Sequence, residues 1–281
     1  ESEQYEDGDG NDFADQADNY IADNLIPNPT NQQQMMFNKM LSGTAYQDKY
    51  RNLDAYSKKT LMAKLFWDIE DNQDLRLGYT ANRSDDVLYP STPMDALYDD
   101  SDIFNVEYIA KDLGTYSKEL NIQFYQSEVD HPMSNMYRKS ATMIQNEKTH
   151  ALTSKMQGAK LTNIFDVDNH MISAGLDYSK RNWDGRFYTN GEPGLISIND
   201  VDTENIALFI KDKITMDKFV LDLGLRYDDT EITSEYPNTL QPDNDYNELN
   251  GYILGTYNSD ETTKYFAGFG KSSRVPDARE L

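Results

Sequence analysis

The chain has 281 residues, enough for one large domain or two ordinary ones with a sizeable core. Its 49 Asp and Glu against 26 Lys and Arg give a formal charge of -23, which attracts cations and argues against a nucleic-acid partner. Without cysteine there are no disulfides or thiolate metal sites, and no run of about 18 apolar residues offers a transmembrane helix, although alternating barrel strands would escape that test.

The opening "ESEQYEDGDGNDFADQ" has neither the basic nor the apolar region of a signal peptide, and the closing "FGKSSRVPDAREL" stops in mid-pattern. The expectation is a segment of a longer protein, cut at both ends. Residues 1–54 are acidic and rich in Asn and Gln, and read mainly as a long loop. Within them "QQQMMFNKM" suits a short helix or a strand start, leaving room for one strand near 34–50.

From about residue 55 the dominant period is two, which sends alternate side chains to opposite faces of a strand. In "FVLDLGLRYDD", Leu221, Leu223, Leu225 and Tyr227 oppose Asp222, Gly224, Arg226 and Asp228. "TLMAKLFWDIE" and "HMISAGLDYSK" alternate in the same way, and further strands are predicted at 73–83, 102–112, 117–128, 158–167, 204–214, 250–258 and 263–274, ten in all. Tight turns near 70–73, 113–115, 167–169, 216–218 and 259–261 alternate with long polar connections near 84–101, 129–157, 184–203 and 234–249. That order puts short turns at one rim of a sheet and long loops at the other. Several runs reach the length of a tilted membrane strand, and Tyr56, Tyr79, Tyr178, Tyr227, Tyr257 and Tyr265 near strand ends suit an aromatic girdle. The predicted fold is all-β: an antiparallel meander of 10–11 long strands, five hairpins over 55–281, forming part of a large transmembrane β-barrel.

"VDHPMSNMYRK" holds one of three histidines. Extended backbone places His131 and Met133 on one side, and Pro132 disfavours helix before it. Imidazole with thioether suits copper, above all Cu(I), better than calcium or magnesium. Three His and 11 Met in the chain make the pair uncommon but not diagnostic, so a metal grip and a polar loop both stand. Met136, Met143 and Met156 in or beside the same loop, and Met94 in the preceding one, read first as packing, with Met136, Met143 and Met94 as weaker ligand candidates. His150, without an obvious partner, and His170, at a strand start, read as surface or rim residues. "YEDGDGND" lacks EF-hand spacing, since the twelfth place from Asp7 is Asp18, and reads with "YDDSD" as a solvated, cation-attracting surface. No motif for nucleophilic, zinc or phosphate chemistry is present, so neither an enzyme nor a catalytic cofactor is expected.

"LDLGLRYDD", a long loop and then "YFAGFGKSSRVPDAREL" resemble the barrel of TonB-dependent outer-membrane receptors. "YEDGDGN", "DDVLYPSTPMD", "VDHPMSN" and "SKRNWDG" look most like the copper-receptor branch of that family. The resemblance implies a wall of about 22 strands around a plug, of which this chain would be roughly half. The plug and the C-terminal strands would lie outside it. It also implies a bacterial outer-membrane location, lipid as surroundings, a monomeric barrel when complete, and coupling to the TonB complex through the plug. Copper is then the transported ligand, held between His131-x-Met133 and a Cys-x-x-x-Met pair in the plug. Two other readings stay open: a receptor for an iron chelate or other small nutrient, using Arg181, Trp183 and Arg186, and a secreted all-β surface interaction protein.

Overall fold

The period-two pattern folds into one continuous sheet. The computed structural model describes residues 5–6, 8–89, 92–143, 146–235 and 243–280. Ten long strands run antiparallel in a meander: β1 (Ser57–Glu70), β2 (Gln73–Val87), β4 (Asp100–Lys111), β5 (Ser117–Asp130), β7 (Lys148–Val167), β8 (His170–Thr189), β9 (Glu192–Met216), β10 (Phe219–Ser234), β11 (Asn244–Asn258) and β12 (Lys264–Lys271). Two short strands, β3 (Asp95–Tyr98) and β6 (Met133–Ser134), lie in the long connections. All ten predicted strands are present, and the five tight turns fall where Asp, Asn and Gly were read as turn formers. No second sheet packs on this one among the described residues, whereas the reading as a secreted all-β surface interaction protein requires one.

One face of the wall is apolar. Leu176, Leu208 and Tyr227 are cross-strand neighbours, as are Ile210 and Leu225, and most stand about half exposed, as lipid-facing side chains do. Phe219, Tyr257 and Tyr265 occupy adjacent register positions beside the tight turns, with the Phe219 and Tyr257 rings 4.8 Å apart. The opposite face pairs its own polar groups. Arg226 contacts Asp177 at 3.1 Å and Asp228 at 2.8 Å, and Arg76 meets Glu107 at 3.3 Å, to which Asn121 also donates at 2.6 Å.

The connections differ from expectation in three places, the first being 129–157, where β7 already begins at Lys148. The stretch 184–203 is not a long loop, because β8 and β9 run on as a hairpin and meet at Asn190-Gly191. Both turn residues have positive φ, 51° and 83°, as a two-residue turn between right-twisted strands requires. In residues 1–54 there is no strand among the described residues 34–50; α1 (Phe13–Asn24) and α2 (Gln32–Gly43) form instead. The side chain of Asn31 caps α2, its Oδ1 accepting from the Gln34 amide at 2.9 Å. Arg51 ties down the acids of α1, pairing with Asp15 at 2.5 Å and with Asp18. Residues 236–242 of the expected last long connection, and Asp7 of the acidic cluster, lie outside the described residues.

Two small cores sit at the long-loop rim. Ala14, Tyr46, Leu88 and Tyr137 join the helical segment to the loops, and Ile198, Val201, Ile232 and Ala278 anchor the end of the chain against β9 and β10.

Candidate functional site

The His-Pro-Met segment is built into the rim as the middle strand of a three-stranded ribbon. β6 pairs with β3 through Ala96 and Met133, and with β7 through Met133 and His150. The flanking backbone holds it at both sides: Leu97 N–H donates to Pro132 O at 2.9 Å, and His131 N–H donates to Leu152 O at 2.9 Å. Pro132 lies opposite Leu97 and has no N–H to return to its carbonyl, so the ladder between β3 and β6 keeps only one bond of that pair at this strand end. Ser134 and Asn135 complete the clamp, Ser134 Oγ donating to Lys148 O at 2.9 Å and Lys148 N–H donating to Asn135 Oδ1 at 2.7 Å.

Below the ribbon, a buried ion pair fixes its position. Asp95, fully buried, accepts from Arg138 Nε at 2.7 Å and Nη2 at 2.5 Å, from the Tyr46 hydroxyl at 2.9 Å and from the Tyr89 amide at 2.9 Å. Arg138 also donates to the carbonyls of Thr44 and Tyr89 and lies 3.9 Å from the Tyr46 ring centre. The Tyr46 hydroxyl is pushed up, chiefly by burial and then by the Asp95 charge. Four of the five guanidinium N–H groups and both carboxylate oxygens of this charged pair have named partners, and pairing of this kind is what makes buried charge tolerable.

The ladder between β7 and β8 has no register break, so the face on which His131 and Met133 lie can be traced into the wall. Lys160 pairs with Asp177 on the polar face; counting back by twos along β7 gives Gly158, Met156, Ser154, Leu152 and His150. Opposite positions share a face, so His131, Met133 and His150 all project on the polar, inner side. His131 Nδ1 lies 3.6 Å from Asp99 Oδ1, and Tyr89 approaches the ring edge-on at 6.2 Å. His150, read as a surface or rim residue without an obvious partner, does lie toward the rim but has partners. Its ring stacks on Phe187 at 4.0 Å and 14°, and its Nε2 is 2.6 Å from Ser197 Oγ. Burial first, then Arg279 and His131, hold its pKa below the ordinary histidine value, which favours the neutral form that binds metals. His150 stands on the extension of β7 beyond the apolar belt.

The other candidates separate. Met136 packs against the core of Tyr46, Leu88 and Tyr137, and Met94 lines a cavity of about 840 Å³ with Met35, Met36 and Met40 of α2. Met143 ends the short helix α3 (Lys139–Met143), and its side chain lies outside the described residues. His170 sits at the tight-turn rim with Nδ1 2.7 Å from Asp212. Among the described residues no three His, Asp or Glu side chains converge, so no all-oxygen site of the calcium kind is formed. Arg181 and Trp183 are engaged with the end of the chain: Arg181 pairs with Asp277 at 3.0 Å, and Arg181 and Arg279 each lie 5.2 Å from the Trp183 ring. Arg186 projects to the face opposite Phe187.

The family profile described as "TonB dependent receptor-like, beta-barrel" matches residues 4–281. The chain belongs to this receptor family. That membership sets the wall in the bacterial outer membrane and among receptors and transporters, not enzymes. Among solved structures the receptor is similar to the copper transporter OprC, at 16% identity and TM-score 0.71, covering 84% of this chain and 40% of that one. It is also similar to the FrpB iron transporter from Neisseria meningitidis, at 15% identity and TM-score 0.60, covering 81% and 38%. A third is the alcaligin receptor FauA from Bordetella pertussis, at 13% identity and TM-score 0.56, covering 76% and 35%. The receptor thus spans about two fifths of the length of these structures. No curated protein matches it by sequence.

Proposed function

We propose that the chain is the barrel segment of a TonB-dependent receptor that captures and imports copper. The observation that carries this reading is the His131-Pro132-Met133 segment, held extended between β3 and β7 so that imidazole and thioether face the inner side together. A soft sulfur with a borderline nitrogen selects Cu(I) or Cu(II) over the hard cations. The formal charge of -23 concentrates cations at the receptor before they reach that pair. Copper is substrate here, bound and released, while a plug with its Cys-x-x-x-Met pair would complete the site and take the pull from TonB. Lipid surrounds the complete, monomeric barrel.

Similarity to the FrpB iron transporter supports a second reading, import of an iron chelate on the same barrel. That reading needs free cationic and aromatic side chains for an anionic, planar ligand, whereas Arg181 and Trp183 are already engaged. The test is Cu(I) and Cu(II) counted per molecule of complete receptor in detergent, for wild type and for His131→Ala combined with Met133→Ala. Loss of stoichiometric copper in the double variant upholds the copper reading. Equal binding by both proteins, or by neither, shifts the assignment to a chelate.

A further inference from the structure

We infer that His150 is a third copper donor, so that the barrel itself supplies two imidazoles and a thioether. This rests on the copper reading and extends it to a residue with no motif around it. His150 is the direct cross-strand partner of Met133, and His131 pairs beside Leu152 two places further along β7. Side chains directly opposite on one face have Cβ atoms about 5 Å apart, within the reach of one ion held by a long thioether and an imidazole.

The surroundings of His150 are those of an oriented ligand. The Phe187 stack fixes the plane of the ring, and the contact with Ser197 engages Nε2. In the tautomer that carries its proton on Nε2, Nε2–H donates to Ser197 Oγ and the lone pair lies on Nδ1, the tautomer that copper binding at Nδ1 would select. A hydrogen bond at one ring nitrogen and a free lone pair at the other is the usual preparation of a metal-binding imidazole. Gly185 keeps the space open. A methyl group there would come within 2.7 Å of Ser197 Oγ, 2.9 Å of a Leu152 methyl and 3.4 Å of His150 Nε2, displacing the serine that orients the ring. The Asp99 carboxylate lies near His131, 3.6 Å from Nδ1, beyond hydrogen-bond distance.

The experiment uses the complete receptor loaded with Cu(I) alone, with donors counted by X-ray absorption at the copper edge and affinity measured by competition with a Cu(I) chelator. Wild type should show two imidazoles and sulfur. His150→Phe keeps a ring on Phe187 but removes the donor; it should lose one imidazole and weaken binding about 10- to 100-fold. His150→Ala should match it, since the loss follows the nitrogen and not the ring. Wild-type affinity and donor count in both variants overturn the inference while leaving the His131–Met133 site standing, provided His131→Ala with Met133→Ala abolishes binding. Undiminished binding in that double variant overturns the site and this inference together.

Discussion

Arg226 and Arg138 serve the same receptor under opposite rules. Arg226 lies in the wall, partly exposed, and meets Asp177 and Asp228 across and along neighbouring strands. Its pairing follows from regular register, and such a pair adds little to stability because water still screens it. Arg138 lies at the rim, 2% exposed, and reaches a fully buried carboxylate 43 residues earlier in the chain, two carbonyls and a tyrosine ring. Nothing there repeats. The wall is a periodic surface whose stability is spread over many similar pairs, whereas the rim concentrates its order in one desolvated cluster beneath the ribbon that carries His131 and Met133.

That contrast predicts graded outcomes in the complete receptor. Asp95→Ala should have the largest effect, about 3–5 kcal/mol of local stability, because it strands the Arg138 charge in the interior. Hydrogen exchange should speed up across β3, β6 and α2 while β9 and β10 stay protected; uniform protection would show that the rim does not hinge on this pair. Exchanging both partners for apolar residues of similar volume should cost much less. Next comes Leu208→Arg on the lipid face, expected to cost about 2–4 kcal/mol in unfolding from vesicles, with little change at the rim. Gly175→Ala should follow at about 1–3 kcal/mol, since a methyl there would fall 2.1 Å from the Leu161 carbonyl and 2.6 Å from the Phe209 ring. Smallest is Lys118→Ala, which breaks an exposed 3.3 Å pair with Asp166; its effect should be below about 1 kcal/mol and vanish in high salt.

Much of the wall was legible beforehand. Leu221, Leu223 and Leu225 against Asp222, Gly224 and Arg226 announce a two-faced strand, and the spacing of Asp, Asn and Gly turns orders the hairpins. Two further local signals lie in the sequence itself. Asn190-Gly191 is a strong hairpin turn, so the long β8–β9 extension was readable where a loop was expected. Asn31 followed by Gln34 is a capping pattern: Gln34 Oε1 accepts from the Thr30 amide at 2.7 Å while Asn31 caps the Gln34 amide, and this favours the helix alternative for "QQQMMFNKM". For His150 no local signal exists, because its significance depends on β6 lying beside β7.

What the sequence by itself determined is the set of faces: period-two alternation is a property of each strand alone, so membrane side, inner side and the His131–Met133 pairing follow from local order. What only the tertiary structure decided is which distant side chains meet. Asp95 finds Arg138, and Met133 finds His150, through pairings between β3, β6 and β7 that close over many residues. Such contacts are selected by the summed burial and hydrogen bonding of the whole rim, a non-local quantity that no window of the chain contains.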